Sequence, residues 1–503
     1  MHHELLINGV NGIMTGKNTD LIRKIAKNSI KPVHFIGLGG IGMSGLARFL
    51  IDLGYKVSGS DIKESAITAS LSTLGATVYI GHTEKTVEDA SIVVASTAIK
   101  ENNPELAEAK RLGIPVVHRS EVLEALMSGL GRQEKQVSVG VSGTHGKTTT
   151  SGMVSLIFED AGVDPSFIVG GQMPYLNVNS KFGRGQHFIA ELDESDGTIV
   201  NYMPDFSIIA NLEFDHPDHY KGGFDQLIET FKIYVNNLES SAKIIINADC
   251  AGNRELLKHI SHPGIILYSV DETNELHRKA KYTVSQISSS GLKAEAIVYK
   301  ESRQIGKLKL NIPGLHNISN ALAALAAALE CGISFEKAVA SLERFTGMKR
   351  RFQLIGCINN ASIIDDYAHH PTEILATLKA SSDAVKSAGK GRVVAVFQPH
   401  RYSRLSALWN EFLKCFNNAD VLYVTDVYSA GENIIQEISS KRFAEEVSHP
   451  YVSYIPGSIE HVADLVYPEI RQGDIVISLG AGDITKLGGV LIRKHEQCGA
   501  VKA

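Results

Sequence analysis

Cysteine is scarce in this chain of 503 residues, which contains five, all far apart and none in a CxxC pair. This spacing argues against a disulfide framework or a zinc site and is typical of free thiols in a reducing compartment. Basic residues are not in excess either, because 50 lysines and arginines face 55 aspartates and glutamates. The sequence therefore lacks the overall positive charge that draws a protein to nucleic acid or to an anionic membrane.

Long apolar runs are missing as well. No stretch approaches the ~20 consecutive apolar residues of a membrane span, and the first residues lack the basic and apolar regions of a signal peptide. We therefore expect a cytoplasmic protein with neither membrane nor nucleic-acid partners. Hydrophobic residues still make up 44% of the chain and charged residues 21%, as in globular proteins. The chain is too long for a single core, so several domains are predicted.

Short apolar runs alternate with helical patterns along most of the chain, which predicts parallel sheets with helices on both faces. We expect three α/β domains, over residues 31–131, 132–345 and 346–503. Residues 1–30 show little periodicity, and we interpret them as an N-terminal extension. The polar stretch 129–136 is typical of a linker between the first two domains.

The clearest chemical motif is the glycine-rich segment GTHGKT, Gly143–Thr148, which follows an apolar strand and begins a helix. Free backbone N–H groups and the positive end of a helix bind anions at such a place. Lys147 has the charge to neutralise nucleotide phosphates, and Thr148 has a hydroxyl that ligates Mg²⁺. The strict GxxxxGK[ST] pattern is not met, because Val141 stands where the first glycine is expected. The segment nevertheless predicts an ATP site.

A second glycine loop, Gly37–Gly42, has the pattern GxGxxG after a strand, and Asp61 follows at the spacing of a ribose-binding acid. Taken alone, this pair predicts an NAD-dependent oxidoreductase. The chemistry requires only a diphosphate at a helix N-terminus and a ribose or base beside the acid. Because a UDP-sugar meets these requirements as well as NAD does, both ligands stay open at this point.

Two acidic segments follow later strands of the predicted central domain. Residues 191–196 read ELDESD, and residues 215–219 read DHPDH. Because the carboxyl ends of parallel strands meet at the same edge of a sheet, we expect both segments near the phosphate loop. Carboxylates at that edge provide the oxygen ligands that Mg²⁺ prefers. The sequence therefore predicts a magnesium site beside the ATP phosphates.

Motifs in all three predicted domains, taken together, resemble the Mur ligase family, and the resemblance covers about residues 31 to 490. The matching segments are Gly37–Gly42, Gly143–Thr148, Glu191, Asp215–His216, His316–Asn320, Arg350–Phe352, Asp365–Pro371 and Gln398–Arg404. The resemblance implies a Rossmann-like N-terminal domain, a P-loop ATPase-like central domain and a Rossmann-like C-terminal domain. It also implies an ATP- and Mg²⁺-dependent ligase of peptidoglycan precursor synthesis, which joins L-alanine to UDP-N-acetylmuramate through an acyl phosphate.

Each matching residue acquires an expected role from this resemblance. The expected catalytic residues are Lys147, Glu191, His216 and Arg351, and the expected metal ligands are Thr148, Glu191 and His216. The expected UDP-sugar site comprises Gly39, Gly40, Ile41, Gly42, Met43, Ser44, Asp61, Ser96, Thr97 and Ile99. The expected ATP site comprises Gly143, Thr144, His145, Gly146, Lys147, Thr148, Thr149, Asn317, Asn320, Arg351 and Asp366. The amino acid's carboxylate is expected at His369, Arg401 and Arg404.

One position departs from many members of the family. Several sister ligases carry a carbamylated lysine about fifteen residues beyond the metal-binding histidine, where this chain has Phe231, next to Lys232. Alanine-adding members usually lack the modified lysine, so the departure agrees with the expected activity. For His219 and His370 we expect structural roles.

Several alternatives stay open at the level of sequence. The nearest is a ligase of the same family that adds a recycled peptide to UDP-N-acetylmuramate. An NAD-dependent oxidoreductase leaves the phosphate loop and the third domain unexplained. A nucleotide-binding protein without turnover is the remaining alternative. No side chain stands out as the base for the incoming amine, and we expect a monomer or a weak homodimer.

Overall fold

The computed structural model describes residues 30–130, 132, 135–217 and 219–500. These residues form three α/β units, each built on a sheet of its own. The N-terminal extension expected over residues 1–30 lies outside the described residues except for Ile30. Asp218 of the second acidic segment and parts of the expected linker also lie outside them.

The first unit is a five-stranded parallel sheet with strand order β3-β2-β1-β4-β5. Its three central strands are buried along nearly their whole length, because helices cover both faces of a parallel sheet. The order changes direction between β1 and β4, which places the first glycine loop beside the switch point. The elements are β1 (Val33–Ile36), α1 (Ile41–Asp52), β2 (Val57–Asp61), α2 (Ala66–Thr73), β3 (Thr77–Ile80), β4 (Ile92–Ala95), α3 (Pro104–Arg111), β5 (Val116–His118) and α4 (Arg119–Met127).

The second unit is a ten-stranded sheet with strand order β15-β14-β13-β12-β11-β10-β6-β9-β7-β8. The strands are β6 (Val137–Ser142), β7 (Ser166–Met173), β8 (Val178–Lys181), β9 (His187–Glu191), β10 (Phe206–Ile209), β11 (Lys243–Asn247), β12 (Ile265–Ser269), β13 (Tyr282–Ser290), β14 (Lys293–Lys300) and β15 (Arg303–Leu310). The helices are α5 (Lys147–Asp160), α6 (Gly223–Asn237), α7 (Ala251–Leu257), α8 (Leu315–Glu330) and α9 (Phe335–Arg344). Strand β6 lies between β9 and β10, so the phosphate loop is flanked by the ends of the two strands that precede the acidic segments.

The sheet of this unit is parallel at its centre, as the sequence predicted, and antiparallel at its two ends. Strands β7 and β8 pair antiparallel, and β13, β14 and β15 form an antiparallel meander at the far edge. The second half of β13 is exposed, so it lacks the apolar run by which a buried strand is found in a sequence. These additions lie at the ends of the sheet and leave its parallel centre intact.

The third unit is a six-stranded sheet with strand order β16-β17-β21-β18-β19-β20, in which only β16 runs antiparallel to its neighbour. The strands are β16 (Gln353–Ile358), β17 (Ala361–Asp366), β18 (Val393–Phe397), β19 (Val421–Val424), β20 (Val452–Tyr454) and β21 (Ile475–Leu479). The helices are α10 (Pro371–Ala388), α11 (Tyr402–Ala407), α12 (Trp409–Phe412), α13 (Ser440–Glu446), α14 (Ile459–Val466) and α15 (Leu487–Ala500). Short 3-10 helices span Glu84–Val87, Thr198–Asn201, His277–Lys279, Tyr467–Glu469 and Asp483–Lys486.

The alanine-rich helix α8 lies inside the second unit. Residues 321–328 are fully buried, and the helix packs against α5, which follows the phosphate loop. Small side chains let two helices approach closely, so this contact fixes α8 directly behind the phosphate loop. No helix among the described residues is long and apolar enough to cross a membrane.

Candidate active site

The phosphate loop has a backbone that its glycines make possible. Gly143 and Gly146 have φ angles of 124° and 78°, a region that side chains other than glycine rarely occupy. A Cβ atom on Gly146 would come within 2.6 Å of the Asn320 side chain on α8. A hydrogen bond also fixes the loop to the residues after β10, because the His145 N–H donates to the Asn211 side chain over 2.7 Å. Helix α5 therefore starts from a loop of fixed conformation, and the free N–H groups of its first turn are available to an anion in that loop.

Lys147 is held inside this loop as a cation. Its Nζ donates to the carbonyl oxygens of Gly143 and Thr144 over 2.6 and 3.1 Å and lies 3.0 Å from the Glu194 carboxylate. Burial alone would lower the pKa of Lys147, but Glu194 and Asp193 raise it above the usual value. Burial raises the pKa of Glu194 to about 7, against the pull of Lys147. The lysine is thus charged and close to where phosphates would enter the loop.

Two of the three expected metal ligands come together beside the loop. The Thr148 hydroxyl donates to Glu191 Oε1 over 3.0 Å, and the Gly170 N–H donates to Glu191 Oε2 over 2.6 Å. A hydroxyl and a carboxylate at this distance form an oxygen donor set that fits Mg²⁺. The third expected ligand, His216, lies with its Nε2 3.6 Å from the Asp215 carboxylate.

His216 has the protonation state that a metal ligand needs. Burial lowers its pKa against the opposing effect of Asp215, and the charges of Lys147 and Arg404 lower it further. A neutral imidazole is the form that binds a metal ion. Among the described residues no hydrogen bond joins His216 to Thr148 or Glu191, so its part in a shared site stays a prediction.

A cavity of about 1540 Å³ opens between the phosphate loop and the third domain. This is ample for a nucleotide, because pockets for drug-sized ligands measure roughly 300–1,000 Å³. Asp366, at the end of β17, accepts from the Ala368 N–H over 2.9 Å and from the Thr377 hydroxyl over 3.0 Å. Burial raises the pKa of Asp366 to about 6. Of the residues expected at the ATP site, the cavity is lined by His145, Gly146, Thr149, Asn317, Asn320, Arg351 and Asp366.

Two asparagines of α8 behave differently in this cavity. The Asn317 amide donates to the Pro313 carbonyl oxygen over 2.7 Å, so it anchors the start of the helix as well as lining the cavity. Asn320 lies against Gly146 of the phosphate loop. Of the two, Asn320 is therefore nearer to where phosphates would bind.

The expected amino-acid clamp lies where the third domain meets the second. Arg404 is buried, and its Nε lies 3.3 Å from Asp215 Oδ1 across the domain boundary. Burial would raise the pKa of Asp215, but Arg404 and His216 hold it well below its usual value. Burial also lowers the pKa of His369 to about 3, and its Nδ1 lies 2.9 Å from the Tyr367 carbonyl oxygen. Arg401 is the N-cap residue of α11 and has a φ of 69°, and its Nε lies 3.9 Å from Glu432 Oε1.

The expected UDP-sugar residues also meet at one edge. The Gly39 N–H donates to Asp61 Oδ2 over 2.8 Å, which ties the glycine loop to the end of β2. The Thr97 hydroxyl donates to Asp196 over 3.2 Å, so the segment after β4 contacts the central domain. The edge of the first sheet that carries Gly37–Gly42 therefore lies next to the first acidic segment, residues 191–196. The two glycine loops thus lie on either side of the same interface between the first and second domains.

Three charged residues of the site have no motif that reveals them in the sequence. Arg119, at the start of α4, forms an ion pair with Asp193 of the central domain, and its Nη1 lies 3.7 Å from a Cβ built on Gly42. Their common feature is a charged partner on a different domain or on the phosphate loop, which only the fold creates. These residues are Arg119, Glu213 and Glu373.

The position of the modified lysine in sister ligases is buried in the core of the central domain. Phe231 is fully buried, and Lys232 lies on the surface with its Nζ 3.0 Å from Glu229. Phe231 has no atom that ligates a metal ion, and Lys232 is paired with a carboxylate of its own helix. His370 caps helix α10, the structural role expected for it.

The sequence matches three family models in succession. These are the Mur ligase family catalytic domain at residues 32–130, the Mur ligase middle domain at residues 141–328 and the Mur ligase glutamate ligase domain at residues 350–482. Each model falls on one of the three sheets.

Similar whole proteins carry one activity in their names. A UDP-N-acetylmuramate–L-alanine ligase from Pelotomaculum thermopropionicum is 41% identical over 92% of this chain and 98% of its own length. A ligase of the same name from Geobacter sulfurreducens is 38% identical over 93% of this chain and 98% of its own length. The crystal structure of UDP-N-acetylmuramate-alanine ligase from Thermotoga maritima superposes with a TM-score of 0.77 and 26% identity, covering 93% of this chain and all of that one. On the agreement of motifs, fold and relatives, the chain belongs to the Mur ligase family.

Proposed function

We propose that this chain is an ATP-dependent ligase that joins L-alanine to the lactyl carboxylate of UDP-N-acetylmuramate, in the cytoplasmic synthesis of peptidoglycan precursors. The observation that carries the proposal is the cavity of about 1540 Å³ between the phosphate loop and the third domain, which is large enough for a nucleotide. Relatives that match this chain over nearly their whole length are named for the same reaction. ATP, UDP-N-acetylmuramate and L-alanine are then the substrates of a monomer or weak homodimer.

Amide formation from a carboxylate needs an activated acyl group. The γ-phosphoryl group of ATP passes to a lactyl carboxylate oxygen, which gives an acyl phosphate and ADP. The amine of L-alanine attacks the acyl carbon, and the tetrahedral intermediate collapses as the bond from carbon to the phosphate oxygen breaks. The nitrogen loses a proton, and inorganic phosphate leaves. Catalysis of this kind is largely positional and electrostatic.

The residues of the phosphate loop supply the charge that phosphoryl transfer requires. Lys147 is held as a cation at the loop, and N–H groups at the start of α5 face the same space. Arg351 and Asp366 line the far side of the cavity, where they would contact the phosphates and the ribose. Thr148 and Glu191 would hold Mg²⁺, together with His216 as the family resemblance implies, and the ion would offset charge on the transferring phosphoryl group.

The amino acid would bind at His369, Arg401 and Arg404. A guanidinium group binds a carboxylate through two parallel hydrogen bonds, which fixes the direction of the attached amine. Arg404 already holds a carboxylate, that of Asp215. We infer that the substrate carboxylate shares or replaces this partner when L-alanine enters.

The peptide-adding alternative is less well supported. A murein peptide ligase from Psychrobacter arcticus superposes with a TM-score of 0.68 and 25% identity over 92% of this chain and 98% of that one, below the 0.77 of the alanine ligase structure. The curated relatives that match at 36–41% identity are named for alanine addition. Both observations favour L-alanine as the acceptor.

The decisive assay is phosphate release from ATP in the presence of UDP-N-acetylmuramate. We expect release that depends on L-alanine, with much slower release for other amino acids and for the tripeptide. The variant K147A is the control for phosphate that arises from a contaminating ATPase. Release with the tripeptide and none with L-alanine would move the assignment to the peptide-adding ligase, and no release with any acceptor would refute the function.

A further inference from the structure

A single carboxylate, that of Glu373 in the first turn of α10, meets positive or hydrogen-bonding groups from both sides of the domain boundary. Its Oε1 lies 3.2 Å from His145 Nδ1 and 3.3 Å from Arg351 Nη1. Its Oε2 lies 3.3 Å from His369 Nδ1 and accepts from the His369 N–H over 3.1 Å. The Glu373 side chain is only 11% exposed, so water screens these contacts weakly.

The three partners belong to different parts of the proposed reaction centre. His145 lies within the phosphate loop, Arg351 lines the nucleotide cavity, and His369 is part of the expected amino-acid clamp. Among the described residues, Glu373 alone makes polar contacts with all three. Glu373 therefore joins the nucleotide side of the centre to the amino-acid side.

The position of Glu373 is fixed by its own helix. It is the third residue of α10, and its carboxylate accepts from the free N–H groups of His369 and His370 in a capping box. The helix N-terminus favours a negative charge there. Because the cap restricts the rotation of the side chain, the same carboxylate is presented to His145 and Arg351 in one orientation.

His145 carries the charge that makes this contact an ion pair. It lies between Glu373 and Glu213, the latter 3.5 Å from its Nε2, and Glu213 accepts from the Thr372 hydroxyl over 2.6 Å. The two carboxylates raise the pKa of His145 to about 9 against the effect of burial. The pKa of Glu373 is well below its usual value because the charges of His145 and Arg351 outweigh its burial. The phosphate loop and α10 are thus joined by opposite charges.

We propose that Glu373 is a positioning residue that couples the phosphate loop to the amino-acid clamp, by holding His145 and Arg351 on one side and His369 on the other. The inference rests on the proposed function for the role of His369. It predicts that the charge of Glu373, beyond its capping hydrogen bonds, is needed for tight binding of both ATP and L-alanine. UDP-N-acetylmuramate binding is independent of it, because no residue of the expected UDP-sugar site is recorded in contact with Glu373 within the described ranges.

The variant E373Q separates charge from capping. A glutamine keeps an oxygen that accepts from the N–H groups of α10 but removes the negative charge. The matched control is E121Q, because Glu121 closes the same type of capping box with His118 at the start of α4 in the first domain. The variant E373D retains the charge on a shorter side chain and serves as the conservative rescue.

We expect E373Q to raise the KM for ATP and the KM for L-alanine by about tenfold or more each, as expected for loss of a buried charge-assisted contact. The KM for UDP-N-acetylmuramate should stay within about twofold. E373D should recover part of both losses, and E121Q should change neither KM. Unchanged KM values for ATP and L-alanine in E373Q would overturn the proposal. An equal rise for all three substrates, with the same fall in Tm as in E121Q, would also overturn it, because capping alone would explain it.

A binding measurement keeps this test separate from the ligase assignment. Calorimetric titration with a non-hydrolysable ATP analogue needs no turnover, and E373Q should bind it about tenfold more weakly than the wild type. If the wild type shows no phosphate release that depends on L-alanine, the proposed function fails while this measurement still stands. If release is normal and analogue binding is equal in wild type and E373Q, the coupling role of Glu373 fails alone.

Discussion

His145 gives the protein a specific dependence of stability on pH. Its pKa is raised from 6.5 to about 9 by Glu213 and Glu373, which outweigh burial. A group whose folded-state pKa is raised contributes stability that is complete below its unfolded pKa and is lost as pH rises through the folded value. The His145 contribution is therefore complete below about pH 6.5 and declines up to about pH 9.

The size of this contribution follows from the shift. Each pKa unit corresponds to roughly 1.4 kcal/mol, so the shift of His145 amounts to about 3 kcal/mol. Only 12% of the His145 side chain is exposed, so screening by solvent reduces this free energy only slightly. Because the charge joins the phosphate loop to α10, we expect the loss to loosen the contact between the second and third domains.

The variant H145Q removes the titrating group and keeps a hydrogen-bond donor. The measured quantity is the difference in the free energy of unfolding between the wild type and H145Q, from urea unfolding with the same probe at both pH values. We expect this difference to be larger at pH 6.5 than at pH 9.5 by about 3 kcal/mol. A control is H259Q, which removes a half-exposed surface histidine and should show no such difference. Equal differences between wild type and H145Q at the two pH values would refute the assignment of a charged His145. An imidazole titration near pH 6.5 by nuclear magnetic resonance would refute it as well.

Three further predictions concern the same region. The variant K147A should stay folded and lose ATP turnover by on the order of 10²-fold in the phosphate-release assay. The variant K232A on the surface should retain turnover, and near-normal turnover in K147A would contradict the role of the loop. The variant G146A should be less stable by about 1–2 kcal/mol in urea unfolding, because alanine is strained at a φ of 78°, and a stability equal to that of the wild type would contradict the left-handed conformation. The variant D215A should be less stable by about 3–5 kcal/mol, because it leaves the buried Arg404 without its carboxylate. The double variant D215A/R404A should lose less free energy of unfolding than the two single variants lose together, and strict additivity would rule out the ion pair.

The local chemistry of the phosphate loop was evident from the sequence. A strand, a glycine-rich turn and a helix follow one another within a few residues, so the signal does not depend on distant parts of the chain. Strand β6 ends at Ser142 and helix α5 begins at Lys147, in the order of strand, turn and helix that the motif predicted. The Mur ligase motifs are local in the same way, and the family and the three-domain fold class were confirmed.

The edges of the sheets were decided by tertiary structure. The antiparallel strands β8 and β13 to β16 are short or half-exposed, so their apolar pattern is weak and their pairing depends on neighbours far along the chain. The order β10-β6-β9 likewise pairs strands that lie far apart in the sequence, and it brings both acidic segments to the phosphate loop. The sequence predicted that these segments lie at the same edge of the sheet. That β9 and β10 are the two neighbours of β6 was evident only from the fold.

The electrostatic connections of the site were invisible in the sequence. Glu373 and His145 are 228 positions apart in the sequence. In its own segment, Glu373 caps a helix and His145 is part of a loop, so neither pattern indicates that the two side chains meet. The same holds for Arg404 and Asp215, which meet only when α11 packs against the central domain. The sequence by itself determined which residues bind anions at a helix start, because that chemistry is local. Tertiary structure alone decided which charges face one another, because burial and proximity across domains set their pKa values and partners.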